Sequence, residues 1–279
     1  MIGVSGTLPV TLACCGLLGT TADDRGMLER AFAEACATQG IVPGTEAYAH
    51  CMVGVHQARG QSAVDVFRGL FPDGEGRAEA AALSFERSFR AAVDRTALAP
   101  MPGAEEAMGQ LRDAGIRVCL VTGLSRRLLS VVLDTLGWWR LVDLALSPED
   151  VPRGCPWPDL MLSAMLRLGV EDVREAAFAG STASDVQCGK RAGAGIVAGI
   201  LTGGHTGDRL RTAGATHLIE GMAELPALLQ GAGVEASPSG PTVVPTPSRP
   251  SQTAPASGRS SPPAVPTPQV PLERRNSGL

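Results

Sequence analysis

The sequence predicts an α/β protein with a Rossmann-like, doubly wound parallel sheet and an α-helical insertion after the first strand. Two observations support this fold class. An apolar run over residues 10–15 leads directly into a glycine-containing turn at residues 16–21, as is typical of the central strand of such a sheet. From Pro102 onwards, short apolar runs alternate with helical patterns, which indicates parallel strands joined by helices.

The segment between these two regions carries no strand pattern. Its apolar residues recur at spacings of three and four over residues 27–41, 47–60, 62–71 and 77–95, which is the periodicity of amphipathic helices. We therefore predict a helical cap domain of residues 25–97, which interrupts a core domain formed by residues 1–24 and 98–231.

The core domain is predicted to alternate strands and helices as far as residue 231. The predicted strands are residues 116–121, 142–146, 176–180, 195–201 and 216–219, and the predicted helices are residues 103–114, 126–136, 159–168 and 186–192. In open α/β sheets the ligand crevice lies beyond the carboxyl ends of the strands. Any site is therefore expected where the strands end, at the turn of residues 16–21 above all.

Composition narrows the classes of partner. The net charge is −4 and no basic stripe occurs, so a nucleic-acid partner is not expected. The apolar N-terminus lacks a basic start and is broken by Gly and Thr residues, which disfavours a signal peptide or a membrane span and predicts a cytoplasmic protein. The seven cysteines form no C-x-x-C pair and are interpreted as small core residues in a reducing compartment.

Residues 232–279 are rich in Pro, Ser and Thr and contain no aromatic residue. Such a segment cannot bury enough apolar surface to offset its ordering entropy. We predict a disordered tail, which also offers a docking site for a protein partner.

Five motifs follow one another along the predicted core. They are GTTADD (residues 19–24), PMPGAEEAM (residues 100–108), TGLSR (residues 122–126), SPEDVPRGCPWPDL (residues 147–160) and GSTASDVQCGKRAGAG (residues 180–195). With these motifs in this order, residues 8–230 resemble the haloacid dehalogenase superfamily of hydrolases, and specifically its phosphonatase-like branch.

This resemblance implies phosphoryl transfer. In the family, an Asp at the end of the first strand attacks phosphorus, and Mg²⁺ is held by that Asp and by carboxylates of the fourth motif. A Thr or Ser of the second motif and a Lys or Arg of the third hold the phosphate oxygens. The transition state is stabilised mainly by positioning and electrostatics, so charges of the right sign are indispensable.

Three of the charged family positions are occupied by uncharged residues in this sequence. Gly16 stands at the nucleophile position, Cys155 replaces the basic residue of the third motif, and Ser181 replaces the first Asp of the fourth. Asp185 is the one family metal ligand that remains. The aspartyl-phosphate mechanism therefore cannot run on these residues, and no Mg²⁺ is expected.

The phosphate-binding positions are better retained. Thr122 and Gly123 keep the second motif, and Arg153 lies two residues from the missing base, where it either replaces that base or is a solvated loop residue. Cys14 and Cys15 precede the missing Asp, but strand alternation puts Cys15 on the opposite face, and core packing accounts for both.

The sequence thus predicts a catalytically impaired relative of these hydrolases with a cleft for a small anionic ligand. Two alternatives stay open. One is an active hydrolase of the same family that uses unorthodox residues and retains Mg²⁺. The other is a scaffold that binds another protein through its cap or its tail.

Overall fold

Six parallel strands form the central sheet in the order β5-β4-β1-β6-β7-β8, and two further strands, β2 and β3, pair antiparallel outside it. The strands are β1 (Leu12–Gly16), β2 (Ala22–Asp23), β3 (Ala99–Pro100), β4 (Arg117–Val121), β5 (Leu144–Leu146), β6 (Ala176–Gly180), β7 (Ile196–Ile200) and β8 (His217–Ile219). The computed structural model describes residues 9–231 apart from residues 73, 75 and 96–97. The tail of residues 232–279 lies outside the described residues, so its disorder stays a prediction.

Ten α-helices complete the described part of the chain. They are α1 (Met27–Thr38), α2 (Glu46–Gln57), α3 (Ala63–Leu70), α4 (Arg77–Arg95), α5 (Ala104–Asp113), α6 (Arg126–Leu136), α7 (Asp159–Leu168), α8 (Ala183–Ala192), α9 (Gly207–Ala213) and α10 (Leu225–Gly231). Among the described residues, no helix is long and apolar enough to cross a bilayer.

Helices cover both faces of the sheet, which is why β1 is buried at all five positions and carries a continuous apolar run. One face packs Ala13 and Cys15 against α5, α6 and α10, whereas the other packs Leu12 and Cys14 against α7 and α8. This alternation confirms that Cys14 and Cys15 point to opposite sides. The predicted doubly wound α/β fold is confirmed.

Helices α1–α4, called the helical insertion below, occupy the segment for which the sequence predicts a cap. Phe32, Phe67 and Phe85 form its aromatic centre, with ring centroids 5.4 Å and 4.4 Å from Phe32. Its buried side chains belong to the same apolar cluster as the α5 face of the sheet. The division of the chain into separate core and cap domains stays a prediction.

The structure differs from the sequence prediction mainly in short elements. The ladder of β2 and β3 and the helices α9 and α10 were not predicted, since two to seven residues are too few to establish a periodicity. Helix α8 begins at Ala183 rather than at residue 186 because Thr182 caps it, and its hydroxyl accepts the Asp185 N–H.

Candidate active site

The carboxyl ends of β1, β4 and β6 meet at one edge of the sheet, since Gly16 pairs with Val121 and the residue before it pairs with Ala179. The structure therefore brings Gly16 together with the residues that follow the two neighbouring strands. A methyl group added to Gly16 would lie 3.5 Å from Oδ2 of Asp185.

Hydroxyl groups occupy the space around Gly16. A Cβ on Gly16 would lie 2.9 Å from Oγ1 of Thr20. That hydroxyl donates to Ser181 Oγ at 2.9 Å and accepts the Ser181 N–H at 3.1 Å, and both residues are buried. Thr21 donates to the Gly16 carbonyl at 3.0 Å. Neutral hydroxyls bonded to one another thus stand at the end of β1 and the start of the fourth motif.

Asp185 is the carboxylate of this edge, and one of its two oxygens is already engaged. Its Oδ2 accepts the Thr182 N–H at 3.0 Å and the Thr182 hydroxyl at 2.8 Å, which closes a capping box at the start of α8. Burial raises the pKa of Asp185 to about 6, although these hydrogen bonds oppose that change. Near neutral pH Asp185 is therefore mostly ionised, and it becomes protonated as the pH falls through about 6.

These residues do not fit Mg²⁺. A hard dication takes about six oxygen ligands and favours carboxylates, whereas this edge offers one carboxylate with two hydrogen bonds on one oxygen. Over the described ranges, no group of three or more His, Cys, Asp or Glu side chains is arranged to hold a metal ion.

The segment Ala58–Gln61, called the covering segment below, runs from α2 over this edge. Gly60 has φ +88° and a Cβ there would lie 2.5 Å from Thr182 Oγ1. A Cβ on Gly123 would overlap the backbone carbonyl of Gln61. Glycine is needed at both positions because the backbone of the helical insertion lies directly against the core.

An inner cavity of about 50 Å³ lies beneath the covering segment. Its polar side chains are Arg59, Gln61, Thr122, Thr182 and Asp185. The remaining lining is largely apolar, with Leu17, Leu18, Phe32, Val55, Phe85 and Leu124 among its side chains. Thr122 accepts the Leu124 N–H at 3.1 Å, so its own O–H is the group that can donate to a ligand.

Arg59 is a residue of this cavity that sequence reasoning missed. Its side chain is 13% exposed and its Nη1 lies 2.9 Å from Oε1 of Glu29, which belongs to α1. The positive charge of Arg59 lowers the pKa of Asp185 slightly against the larger effect of burial. No local pattern marks Arg59, because only the packing of α2 on the core brings it here.

His205, which sequence reasoning also missed, fastens the last turn of α2 to the core. Its Nδ1 accepts the Ala183 N–H at 2.8 Å, so its Nε2 carries the proton and donates to the His56 carbonyl at 2.9 Å. Arg209 donates to the Gln57 carbonyl at 2.9 Å. Burial lowers the pKa of His205. His205 follows β7 through two glycines, so the strand-end rule contained a signal for it.

A second, outer cavity of about 510 Å³ lies beside the inner one, and Gly123 lines both. Arg153 lines this outer cavity, where its guanidinium pairs with Asp159 at 2.8 Å and lies 4.6 Å from the ring centre of Trp157. It does not line the inner cavity with Thr122 and Asp185. The contact to Asp159 raises the pKa of Arg153 further, so the residue stays charged.

Cys155 also lines the outer cavity but is buried in the apolar cluster on the α7 face. Its contact with Cys188 and its burial raise the pKa of its thiol well above the usual range. Such a thiol is neutral at physiological pH and is not a nucleophile. Burial likewise raises the pKa of Cys15, and contact with Cys119 followed by burial raises that of Cys14.

The comparisons with known proteins agree with this architecture. The model of a family described as haloacid dehalogenase-like hydrolase matches residues 17–193, so the chain belongs to that family. Within it, the chain is phosphonatase-like: it is 27% identical over 173 residues to a phosphonoacetaldehyde hydrolase of Parabacteroides distasonis and 31% identical over 118 residues to one of Bacillus cereus.

These alignments are partial. They span 53% of this chain and 64% of the Parabacteroides protein, and 42% and 44% of the chains in the Bacillus pair. The chain thus spans less than two thirds of the length of these curated relatives. Their activity does not transfer to this chain on similarity alone.

Solved structures show the same fold. A hydrolase from Pseudomonas syringae matches with a TM-score of 0.69 and 22% identity over 80% of this chain and 99% of that one. A phosphonoacetaldehyde hydrolase-like protein from Oleispira antarctica matches with a TM-score of 0.70 and 20% identity over 83% and 95% of the two chains.

Proposed function

We propose that this protein is a pseudoenzyme of the phosphonatase-like branch, which does not hydrolyse phosphate esters or phosphonates and binds a small anion at the strand ends. The observation that supports it best is the environment of Gly16. The position has no side chain, and the hydroxyl of Thr20 lies 2.9 Å from the place that the Cβ of a nucleophilic residue would take.

The electrostatics of the inner cavity support the loss of hydrolysis. Phosphoryl transfer needs an activated nucleophile and positive charge against the phosphate oxygens. Arg59 is the cation that lines the inner cavity, and it is shared with Glu29. Asp185 adds negative charge above its pKa of about 6. The remaining positive charge is too small to offset a phosphate dianion and its transition state.

Anion binding remains within the reach of the same residues. The Thr122 hydroxyl can donate, Arg59 supplies the charge, and protonation of Asp185 removes the opposing carboxylate. Binding of inorganic phosphate or acetate should therefore strengthen as the pH falls through about 6. Titration calorimetry at pH 5.5 and pH 7.5 measures this effect. The Arg59→Gln variant should lose the stronger binding at pH 5.5.

The test of the proposal is reconstruction of the missing charges. We expect the wild-type protein to show no Mg²⁺-dependent turnover of an aryl phosphate or of phosphonoacetaldehyde. The variant Gly16→Asp/Cys155→Arg/Ser181→Asp restores the three charges, and a matched variant with Asn at positions 16 and 181 restores only their shape. Activity in the Asp variant alone would show that the scaffold is intact and lacks only charge.

Mg²⁺-dependent turnover by the wild type would overturn the proposal and favour the active hydrolase with unorthodox residues. If the wild type shows no turnover and also binds no anion, the scaffold hypothesis remains. That hypothesis would be supported if the full chain captured a protein partner and a chain shortened at residue 231 did not.

A further inference from the structure

Two thiols of the helical insertion lie in direct contact. Cys36 is in the last turn of α1, Cys51 is in the middle of α2, and their Sγ atoms are 2.8 Å apart. Both side chains are buried, with 0% and 3% exposure. Neither cysteine lines the inner or the outer cavity, and the inference drawn from their contact does not depend on the proposed function.

The separation of the sulfurs is short for non-bonded atoms. Even carbon atoms in contact rest at about 3.5–4.0 Å, whereas a disulfide bond is about 2.03–2.05 Å long. The contact is therefore between these two values, and closing it requires a movement of less than about 1 Å. The two helices are consecutive and are joined by residues 39–45, so a cross-link closes only a short loop.

We propose that Cys36 and Cys51 form a redox-active dithiol that closes to a disulfide between α1 and α2, with a small organic disulfide as the oxidant. The thiolate of one cysteine attacks the organic disulfide, forms a mixed disulfide and releases one thiol. The second cysteine attacks the protein sulfur of that mixed disulfide and releases the second thiol. Two electrons pass from the cysteine pair to the oxidant, and the two thiol protons leave with the products or to solvent.

The other cysteines are held differently. Cys14 and Cys119 are register partners on adjacent parallel strands, where the backbone ladder fixes both residues. Cys155 also contacts Cys188, but both residues lie in the apolar cluster on the α7 face. Cys36 and Cys51 are on two helices of the insertion, which can adjust without breaking a sheet. Burial, followed by the contact with Cys51, raises the pKa of Cys36, so exchange is expected to follow a local opening of the pair.

Closure would act on the cover of the inner cavity. Helix α2 leads directly into the covering segment, and Arg59 of that segment already pairs with Glu29 of α1. A disulfide from Cys51 to Cys36 adds a covalent link between the same two helices.

The experiment maps thiols in the full-length wild-type chain. The native protein is equilibrated in buffers of rising ratio of oxidised to reduced glutathione, quenched with acid, alkylated under denaturing conditions and digested with trypsin. No Lys or Arg lies between Arg30 and Arg59, so one peptide of residues 31–59 carries Cys36 and Cys51 and no other cysteine. We expect this peptide to become two hydrogens lighter and to escape alkylation, and a further cut after Glu46 should leave its halves linked. The other five of the seven cysteines should stay alkylated.

Three results would overturn the proposal: alkylation of both cysteines at every ratio, a stable glutathione adduct in place of the link, or equal oxidation of all seven cysteines. Thermal unfolding adds a second measurement. Oxidation should raise the melting temperature of the wild type and of Cys188→Ser, and should leave those of Cys36→Ser and Cys51→Ser unchanged. The mass measurement uses only the wild-type chain, so it tests the proposal even if a variant folds poorly.

Discussion

The inner and outer cavities are neighbours that share Gly123, yet they differ in size and in charge. The inner cavity has about 50 Å³, a largely apolar lining and one carboxylate. The outer cavity has about 510 Å³ and is lined by charged side chains of both signs from the helical insertion and the core, Asp65, Arg68, Glu86, Glu149 and Arg153.

This comparison shows that the position of a cavity in the fold and the charges that line it can vary independently. The inner cavity lies at the strand ends, where open α/β sheets bind their ligands, and its charged side chains are Arg59 and Asp185. The outer cavity has charges, but they are solvated or paired, as Arg68 is with Asp65 and Arg153 with Asp159. A charge in the inner cavity should therefore lower the free energy of unfolding, whereas a charge in the outer cavity should hardly change it.

The largest effect is expected from Asp185→Asn. The pKa of Asp185 is about 6 in the folded protein and 3.8 ordinarily, so the folded state favours the protonated form. Its contribution to stability is complete below pH 4 and is lost as the pH rises through 6, a change of about 3 kcal/mol in the free energy of unfolding. Asp185→Asn should remove this loss, as measured by urea unfolding at pH 4, 5, 6 and 7. The exposed Asp208→Asn is the control and should keep the wild-type profile; an unchanged profile in Asp185→Asn would mean that the carboxylate is solvated.

Gly123→Ala tests the contact between the covering segment and Gly123, which lines both cavities. Its Cβ would overlap the Gln61 carbonyl, so the covering segment must move or the core must yield, at a cost of about 1–3 kcal/mol in the free energy of unfolding. Gly109→Ala, where nothing lies within 4 Å of the added Cβ, should instead stabilise α5 by up to about 1 kcal/mol. Equal effects of the two substitutions in urea unfolding would show that the covering segment is not seated on Gly123.

His205→Asn tests the closed position of α2. The lowered pKa of His205 means that the neutral form stabilises the folded state above pH 6.5, and that this contribution is lost as the pH falls below it, since protonation removes the acceptor for the Ala183 N–H. This acid-side loss should be opposite in sign to the effect of Asp185. His205→Asn should abolish this acid-side loss in the same unfolding series, and the exposed His50→Asn should not. A loss that persists in His205→Asn would refute this assignment.

Arg153→Ala should have the smallest effect. The guanidinium of Arg153 is exposed, so removal of its pair with Asp159 should leave the free energy of unfolding nearly unchanged. Phosphate binding at pH 5.5 should also be unchanged, whereas Arg59→Gln should weaken it. The reverse result would move the anion site from the inner cavity to the outer one.

The sequence was sufficient to predict the fold and which residues meet at the strand ends, whereas the role of those residues stays a prediction. The alternation of strands and helices is a local signal, and parallel strands place their carboxyl ends at one edge, so Gly16, Thr122, Ser181 and Asp185 could be brought together in advance. The hydroxyl pair of Thr20 and Ser181 could not be predicted, because it depends on side-chain geometry across two strands.

The position of the covering segment could not be predicted from local sequence patterns. Arg59 reaches the inner cavity only through the packing of α2 on the core, and periodicity gives the faces of a helix but not its position on a distant element. Arg153 shows that nearness in sequence to a family position does not imply nearness in space to the strand ends. Two residues from Cys155, it pairs with Asp159 and lies against Trp157 rather than at the strand ends.

The position of β1 has a consequence for folding kinetics. This strand ends at Gly16 and pairs with strands that begin at Arg117 and Ala176, whereas α1–α4 contact one another along a single continuous stretch of chain. Contacts between residues distant in sequence slow folding, since the intervening chain must first lose its freedom. We therefore expect the helical insertion to form early and the sheet to set the overall rate, so that the inner cavity, which needs both, is completed last.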